Sequence, residues 1–346
     1  MSCQNLSLLC ICLLSFACAK TERKVSPAFY HWQTHLQLST MERSFIDSLQ
    51  IEKLYVKFFD VDQSDGPQKT KALAQLQATN FNKKNLEVIP TVFITNRTLY
   101  KLEDKDLKAL AQRIYKKIKT LRNDFDESPL TEIQIDCDWS LKTRDKYFKL
   151  LGLLRKQFES EATQLSATIR LHQIKFFEKT GVPPIDRGML MFYNMGELTA
   201  PETSNSIIDL KLAEAYLSRF SDYPIELDIA LPIFSWGVLF RDNKMIKLIN
   251  NLEASALADT SRFHKAFKNQ YKVVKSTYLQ GYYLYEGDRI RLEQSPITTV
   301  RAAAKKLAAL NKAKQLTLSL YHLDTMTLKN YSYDQLQEVY DQFIEK

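Results

Sequence analysis

The chain of 346 residues contains little glycine and, beyond its first 18 residues, almost no cysteine. It has 8 glycines, whereas average usage would give roughly 24. None of them forms a GxGxxG, GxSxG or Gly-Lys-Ser/Thr motif, and HExxH is also absent. The common signatures of dinucleotide-binding proteins, P-loop proteins, α/β hydrolases and zinc proteases are therefore missing. Only Cys137 lies outside the N-terminal segment, which excludes a disulfide framework for the body of the protein.

The charged residues indicate a globular protein and give no sign of a nucleic-acid partner. The chain is 45% hydrophobic and 25% charged, with a net charge of +8. Its lysines concentrate in residues 101–119, 265–275 and 301–314, where apolar residues recur between them at helical spacing. This pattern favours solvated outer faces of helices over a patch that binds nucleic acid or an anionic membrane. The sequence also predicts no cofactor and no metal site, because His31 and His35 do not share a helical face.

The N-terminal segment is similar to a bacterial lipoprotein signal. An apolar run over Leu6–Phe16, too short to span a bilayer, is followed by Ala17 and Cys18. Cleavage before Cys18 would leave a lipidated cysteine, so the resemblance implies a signal peptide over residues 1–17 and a polar tether over residues 18–27. No acidic run follows Cys18, and we therefore expect a membrane-anchored lipoprotein of the outer membrane that faces the periplasm. An ordinary secretory signal or a buried strand are the alternatives.

After the tether, short β-rich runs alternate with amphipathic helical patterns. The runs are Ala28–Trp32, Leu54–Phe59, Leu86–Thr95, Glu132–Trp139, Leu165–His172, Met189–Asn194, Ile225–Phe234 and Leu316–His322. Apolar residues three and four positions apart predict helices over Leu107–Leu121 and Tyr147–Phe158, and the last helix is predicted over Tyr333–Ile344. Eight strands, each followed by a helix, predict an α/β protein with a (β/α)8 TIM barrel over residues 28–346.

One insertion interrupts this order. The segment Tyr278–Leu292 alternates around Gly287, which predicts a small β-hairpin, within an insertion of about residues 271–295, between strands seven and eight.

Several of the strands alternate strictly between apolar and polar residues, which favours a closed barrel over an open parallel sheet buried on both faces. In strand four, Ile133 and Ile135 face one way while Gln134 and Asp136 face the other. The apolar set should pack under the helices, and the polar set should point into the barrel. We therefore expect a polar lumen.

Charges inside such a lumen need partners, because an uncompensated buried charge costs several kcal/mol. Asp136, Asp138, Glu226 and Asp228 are the acids, and the available cations are Lys57 and Arg170. For Glu226 and Asp228, a structural ion-pair lattice that fixes strand register is as good an interpretation as a functional one. We predict structural ion pairs among Lys57, Arg170, Glu226 and Asp228.

Asp138 differs from these acids because it ends its strand, and active sites of TIM barrels lie at the C-terminal ends of the strands. Other acids at such ends are Asp60, Asp62, Glu197 and Asp324. Several carboxylates around one mouth suit acid–base chemistry on a glycosidic bond, where one must stay protonated and another ionised.

The three tryptophans also fall at the ends of predicted strands. Trp139 has the same parity as Ile135, so packing under a helix is at least as good an interpretation as a role in binding. Trp32 and Trp236, with Tyr30 and Tyr193 nearby, are predicted to form a substrate-binding platform, because aromatic faces contact the C–H faces of sugar rings.

The strand-four segment Gln134–Trp139 resembles the motif of the family-18 glycoside hydrolases (chitinase-like), which runs Asp-x-x-Asp-x-Asp-x-Glu. Phe29–Trp32 on strand one, Met191–Asn194 on strand six and the insertion after strand seven support this resemblance. It implies a barrel that acts on or binds a polysaccharide. The motif is incomplete, because Ser140 stands where the family carries its catalytic acid, Ile133 stands at the first Asp, and strand six has Asn194 where the family usually has Asp.

A closer resemblance is to an uncharacterised family of bacterial lipoproteins with the same barrel. It rests on the Gln-Ile-Asp-x-Asp segment, the Tyr/Leu/Arg-rich stretch Tyr147–Arg155, Leu165–Thr168 and Asp228–Gly237. This second resemblance implies a fold and a location, but no activity.

Two hypotheses follow. In the first, the protein is an envelope-anchored glycoside hydrolase-like enzyme in which Asp136, Asp138 and Glu197 are catalytic, with Asp62 or Asp324 as other candidates for the missing acid. In the second, the same barrel is a catalytically inactive module for glycan binding or envelope assembly. A second carboxyl about 5–9.5 Å from Asp138, across an open cleft, would favour the enzyme. An ion pair that locks Asp138 to Arg170, or a hairpin that plugs the mouth, would argue against it.

Overall fold

The computed structural model describes residues 23–344 except 64–69, 79, 80, 82, 84, 124, 126 and 127. The expected signal peptide and Cys18 therefore lie outside the described residues. Within the described part of the chain, no helix combines the length and the apolar character that crossing a membrane requires.

Eight parallel strands form a closed barrel. They are β1 (Lys24–His31), β2 (Lys53–Gln63), β3 (Glu87–Ile94), β4 (Glu132–Asp136), β5 (Gln164–Arg170), β6 (Arg187–Met191), β7 (Leu227–Pro232) and β8 (Gln315–Tyr321). Each strand pairs with its neighbours in sequence, and β1 closes the ring by pairing with both β2 and β8. The predicted TIM barrel is confirmed, with all eight strands in their predicted places to within a few residues.

Helices surround the barrel. They are α1 (Thr40–Ser48), α2 (Asn96–Lys101), α3 (Leu107–Asn123), α4 (Arg144–Phe158), α5 (Leu171–Lys175), α6 (Phe177–Thr180), α7 (Leu210–Leu217), α8 (Ile297–Leu310), α9 (Thr325–Leu328) and α10 (Tyr333–Ile344). Short 3₁₀ helices cover Asp104–Asp106, Glu159–Glu161, Phe220–Asp222 and Ala254–Leu257. The apolar stripe of α3 is buried at Leu110, Ile114 and Ile118, whose spacing places them on one face of the helix.

The alternation along the strands separates an apolar layer from a polar lumen. Ile133 and Ile135 are fully buried under the helices. In the lumen, the hydroxyl of Tyr30 on β1 donates to Oε1 of Gln134 on β4 at 2.6 Å. Gln134 in turn donates to Ser166 on β5 at 3.3 Å. Hydrogen bonds therefore link opposite sides of the barrel through its interior.

Trp139, three residues beyond the end of β4, packs under the helices. Its ring stacks on Tyr147 of α4 with centroids 5.1 Å apart, and its Nε1 donates to the carbonyl of Thr180 at 3.2 Å. Only 2% of its surface is exposed. In the structure, Trp139 therefore packs under the helix, which is one of the two interpretations given above.

β1 begins at Lys24, earlier than the sequence predicts. Residues 24–27, expected to belong to a tether, pair in register with Gln315–Leu318 of β8. The side chain of Arg23 also donates to the carbonyl oxygens of Ala308 and Ala313 at 3.1 and 3.2 Å. The polar composition of this segment suits the solvated lower end of a strand, which is why it reads as a linker in the sequence.

The insertion between β7 and β8 is larger than the predicted hairpin. Five antiparallel strands form its sheet, in the order Lys244–Asn250, Trp236–Arg241, Arg289–Glu293, Gln270–Val273 and Phe263–Phe267. A separate hairpin pairs Thr277–Leu279 with Tyr282–Leu284. The prediction of one hairpin over Tyr278–Leu292 is therefore wrong. Alternation shows that strands exist but not which strands pair, and Arg289–Glu293 takes partners from segments that are distant in sequence.

The remaining strands are short. Thr70–Leu73 pairs antiparallel with the end of β2, and His35–Leu36 pairs with Gln77–Ala78.

Candidate functional site

A cleft of about 490 Å³ opens at the C-terminal ends of the barrel strands. Its wall combines ionic, amide and aromatic side chains from the barrel with Trp236, Asn250 and Asn251 from the inserted sheet. A second cavity of about 250 Å³ shares Asp138 and Arg170 with the cleft. The insertion thus forms one wall of the cleft and does not plug the mouth.

Arg170, the last residue of β5, lies between the two aspartates of the strand-four motif. Its Nε donates to Oδ1 of Asp138, and its terminal nitrogen lies 3.6 Å from Oδ1 of Asp136. Thr168 adds a hydrogen bond of 2.6 Å to the same oxygen of Asp136. Two carboxylates therefore share one guanidinium at the mouth of the barrel.

The two aspartates differ in burial. Asp136 is buried, and this burial raises its pKa, although Arg170 opposes the shift. The side chain of Asp138 is 57% exposed and faces the cleft. Burial disfavours the charge of Arg170, but Asp136 and Asp138 outweigh that effect, and the pKa of Arg170 is raised. The ion pair between Asp138 and Arg170 is the arrangement that we expected to argue against catalysis.

Ser140, at the position of the acid in the resembled motif, contacts Thr143. Its backbone N–H donates to Oγ1 of Thr143 at 3.0 Å, in the turn that precedes α4. Ser140 itself is exposed. The residue that would carry the proton in the resembled motif is therefore part of a helix-initiating turn.

The other candidate acids at the strand ends each have partners. Asp62 accepts hydrogen bonds from Arg97 and, at 2.7 Å, from Thr95, and the bonds from Arg97 are the main reason that its pKa is lowered. Asp324 accepts from the backbone N–H groups of Met326 and Thr327 at 2.8 and 3.2 Å, where it caps α9.

Glu197 and Asp60 do not line the cleft. Glu197 is exposed and accepts from Thr199, which lowers its pKa. Asp60 lies 3.3 Å from Lys57, and its pKa is nevertheless raised, because burial dominates. The structure therefore does not bring Glu197 together with Asp136 and Asp138 as the sequence analysis expected.

Three of the four predicted platform residues line the cleft: Trp32, Tyr193 and Trp236. Tyr321 lies between them, with its ring centroid 6.0 Å from that of Trp32 and 5.2 Å from that of Tyr193. Tyr30 is fully buried below this layer and stacks on Tyr55, so its assignment to the platform is wrong. It supports the rings above it, since its own ring lies 6.0 Å from Trp32.

Trp236 is held by a carboxylate that the sequence analysis did not identify. Its Nε1 donates to Oε2 of Glu293 at 2.7 Å, and Ser206 donates to the same oxygen at 2.5 Å. Arg291 donates to the other oxygen at 2.5 Å and to the carbonyl of Leu198 at 3.0 Å. Both Arg291 and Glu293 are almost fully buried. Arg291 and Glu293 are two residues apart in an alternating segment, and this spacing alone indicates in the sequence that they share one face of a strand.

The deeper acids use a different cation from the two predicted. Arg187, the first residue of β6, donates to both oxygens of Asp228 at 2.9 and 3.0 Å and to Glu226 at 2.6 Å. Lys57 instead pairs with Asp60, and its Nζ lies 5.9 Å from the ring centroid of Trp32. All four residues predicted to form structural ion pairs do so, but the cation of Glu226 and Asp228 is Arg187 and not Lys57 or Arg170.

Two histidines lie beside the cleft. His31 is 2% exposed, and burial, reinforced by the neighbouring His322, lowers its pKa to about 4. Nδ1 of each ring is buried without a hydrogen-bond partner among the described residues. Among all residues that the structure describes, no group of three His, Cys, Asp or Glu side chains could hold a metal ion.

Comparisons with known proteins identify the fold. No protein-family model and no curated protein matches the chain. The spore cortex-lytic enzyme SleL of Bacillus cereus superposes with a TM-score of 0.56 at 12% identity, over 93% of this chain and 75% of that one. The GH18 chitinase ChiB of Flavobacterium johnsoniae gives 0.55 at 10% identity, over 93% and 94%. The chitinase-like agglutinin RobpsCRA of Robinia pseudoacacia gives 0.55 at 11%, over 91% and 99%.

These identities are low, so the similarity concerns the fold. The protein shares its barrel fold with these proteins, so the fold that the strand-four resemblance implied is confirmed.

Proposed function

We propose that this protein binds a glycan chain in the cleft at the mouth of its barrel and does not hydrolyse it. The observation that carries the proposal is the combination of an open cleft, aromatic walls at Trp32 and Trp236, and a strand-four motif whose two aspartates share Arg170. Aromatic faces contact sugar C–H groups, and the ionic and amide groups can exchange hydrogen bonds with hydroxyls. The chitinase-like fold supports a glycan as the ligand, although fold alone does not establish function.

Hydrolysis has weaker support. It requires a carboxyl that is held protonated beside the leaving oxygen. Asp138 is paired with Arg170, the pKa of Asp62 is lowered, and Asp324 caps a helix. The pKa of Asp136 is raised and the residue lines the cleft, but its side chain is only 8% exposed and its Oδ1 already contacts Thr168 and Arg170. Ser140, at the position of the family's acid, cannot donate a proton near neutral pH.

The test is a binding and product assay on chitin, peptidoglycan and β-glucan, each as short soluble fragments and as polymer. We expect retention of at least one glycan, measured by calorimetry and pull-down, with no release of new reducing ends. Trp32→Ala and Trp236→Ala should each weaken binding at least about tenfold, since each removes a large buried contact. Tyr100→Ala is the matched control, because Tyr100 is an exposed aromatic residue on α2 that does not line the cleft.

Two results would contradict the proposal. Release of reducing ends that Asp138→Asn abolishes would establish a hydrolase. If the wild-type protein binds none of the three glycans, the proposal that the cleft binds a glycan is contradicted.

We also propose that Cys18 carries a lipid that holds the protein at the outer membrane, facing the periplasm. The support is the N-terminal sequence pattern alone. Expression with a clickable fatty acid should label the wild-type protein and not Cys18→Ser, and the variant should move from the membrane to the soluble fraction. Equal labelling of both proteins would contradict this assignment.

A further inference from the structure

Three tyrosines of the insertion between β7 and β8 are exposed and contact one another. The exposed fractions are 67% for Tyr278, 45% for Tyr283 and 52% for Tyr285. The ring centroids of Tyr278 and Tyr283 lie 5.0 Å apart, and those of Tyr283 and Tyr285 also lie 5.0 Å apart. We call these three residues the tyrosine surface. Contiguous exposed apolar side chains, unlike single ones, are typical of surfaces that bind a ligand or a partner.

The backbone fixes the first two rings. Tyr278 and Tyr283 are directly opposite each other in the hairpin of Thr277–Leu279 and Tyr282–Leu284. The two turn residues between the strands have positive φ angles, the backbone that a tight two-residue hairpin needs. The rings are therefore held in place before any ligand arrives, which lowers the entropy lost on binding.

A buried carboxylate fixes the third ring. The guanidinium of Arg241 lies 4.3 Å from the ring centroid of Tyr285. Arg241 donates to both oxygens of Asp288 at 2.8 and 2.9 Å, and the backbone N–H of Tyr285 also donates to Asp288, at 2.8 Å. This support keeps Tyr285 beside Tyr283 without burying it.

Two residues of the tyrosine surface lie on the hairpin and the third, Tyr285, follows it directly, and the turn of this hairpin contacts the wall of the cleft. Nε2 of Gln280, at the hairpin turn, donates to the carbonyl of Asn251 at 3.3 Å, and Asn251 lines the cleft. We infer that the tyrosine surface binds the continuation of the same glycan chain where it leaves the cleft, so the protein prefers long chains to short fragments. This inference rests on the proposed function, because it extends the ligand of the cleft.

The experiment compares two ligand lengths. Binding is measured with N-acetylglucosamine trisaccharide and soluble glycol chitin, and in parallel with short peptidoglycan fragments and long glycan strands. The variant is Tyr278→Thr/Tyr283→Thr, because threonine keeps the strand preference and a cross-strand pair but removes the rings. We expect the long chain to bind about fivefold to tenfold more weakly, the effect of one to two aromatic contacts, and the short fragment to be unchanged within about twofold.

The controls separate this inference from the proposed function. Trp32→Ala should weaken both lengths, and Tyr100→Ala should weaken neither. Equal affinity of the double variant and the wild type for long chains would overturn the inference and leave glycan binding in the cleft intact. Equal loss for both lengths together with a lower melting temperature would show that the tyrosines serve only the hairpin, and would also overturn it. If the wild type binds none of these probes, the proposed function and the inference both fall.

Discussion

The barrel contains two similar ionic groups, one at each end, with different surroundings. At the bottom, Arg187 pairs with Glu226 and with both oxygens of Asp228. At the mouth, Arg170 pairs with Asp136 and Asp138. Each group has one guanidinium and two carboxylates contributed by neighbouring strands.

Each group contains one buried and one exposed carboxylate, but the two groups border different cavities. Asp228 is 3% exposed and also accepts the backbone N–H of Thr317 at 2.6 Å. Asp138 is 57% exposed and borders two cavities. In the bottom group Glu226 is 62% exposed and borders a separate cavity, whereas Asp138 of the mouth group lines the cleft together with aromatic side chains. Similar ionic groups therefore serve stability at one end and, in our proposal, recognition at the other.

The largest expected effect is on stability at the bottom. Arg187→Met leaves the buried Asp228 without its cation, and removing one partner of a buried pair costs about 3–5 kcal/mol. We expect this loss in the free energy of unfolding by urea denaturation, with glycan binding unchanged where the variant is folded. Arg219→Met is the matched control, since Arg219 also pairs with two carboxylates, Glu178 and Asp222, but at the surface. Its cost should stay below about 1 kcal/mol.

The corresponding change at the mouth should act less on stability and more on binding. In Arg170→Met, Asp136 keeps its hydrogen bond from Thr168 and Asp138 remains hydrated, so we expect a cost of about 1–3 kcal/mol. Glycan affinity, measured by calorimetry, should fall more than about tenfold, because the ordered ion pair in the wall is lost. If Arg170→Met and Arg187→Met cost equal stability and binding persists, the mouth group is as purely structural as the bottom one.

A smaller effect is expected for Asp138→Asn. An exposed ion pair contributes little, so the free energy of unfolding should change by no more than about 0.5 kcal/mol. Glycan affinity should fall about fivefold, because asparagine keeps an acceptor oxygen but loses the charge that strengthens the hydrogen bond. Glu178→Gln removes an exposed carboxylate from the Arg219 group and should alter neither quantity. A large loss of stability in Asp138→Asn would show that this carboxylate is not free for a ligand.

The smallest effect concerns pH. Because the pKa of Asp136 is raised by burial, this group favours folding when protonated and loses that contribution as the pH rises through its folded pKa. Asp136→Asn lacks this titration. The free energy of unfolding of the variant minus that of the wild type should therefore grow as the pH rises from about 4 towards neutral. Urea midpoints at several pH values would measure this difference, and a difference that shrinks with rising pH would contradict the assignment.

The sequence contained enough information for the barrel and its polar interior. The alternation in β4 and β5 assigns Asp136 and Thr168 to the lumen, and strand ends locate Asp138, Trp32 and Trp236 near the mouth. These inferences need only the period of two along a strand, a local property.

Which residues form ion pairs and hydrogen bonds depends on the stagger and pairing of different strands, and the sequence pattern does not contain this information. Arg187 lies two residues before the predicted start of its strand, so the stagger that brings it to Asp228 could not be read from alternation. The prediction that Glu197 lies with Asp136 and Asp138 is wrong for a related reason. The direction of a loop side chain is set by its hydrogen bonds, which here come from Thr199. The pairing of Arg289–Glu293 with two distant strands, which holds Trp236 through Glu293, is equally non-local.

The early start of β1 would orient the whole molecule on a membrane. If Cys18 carries the lipid proposed above, only the five residues 19–23 separate it from the first barrel residue, and five residues reach at most about 18 Å. All eight strands run from that end towards the mouth. Such a short connection would hold the N-terminal end of the barrel strands against the lipid surface. The cleft at the opposite end would then face away from the membrane, towards polymers beyond it.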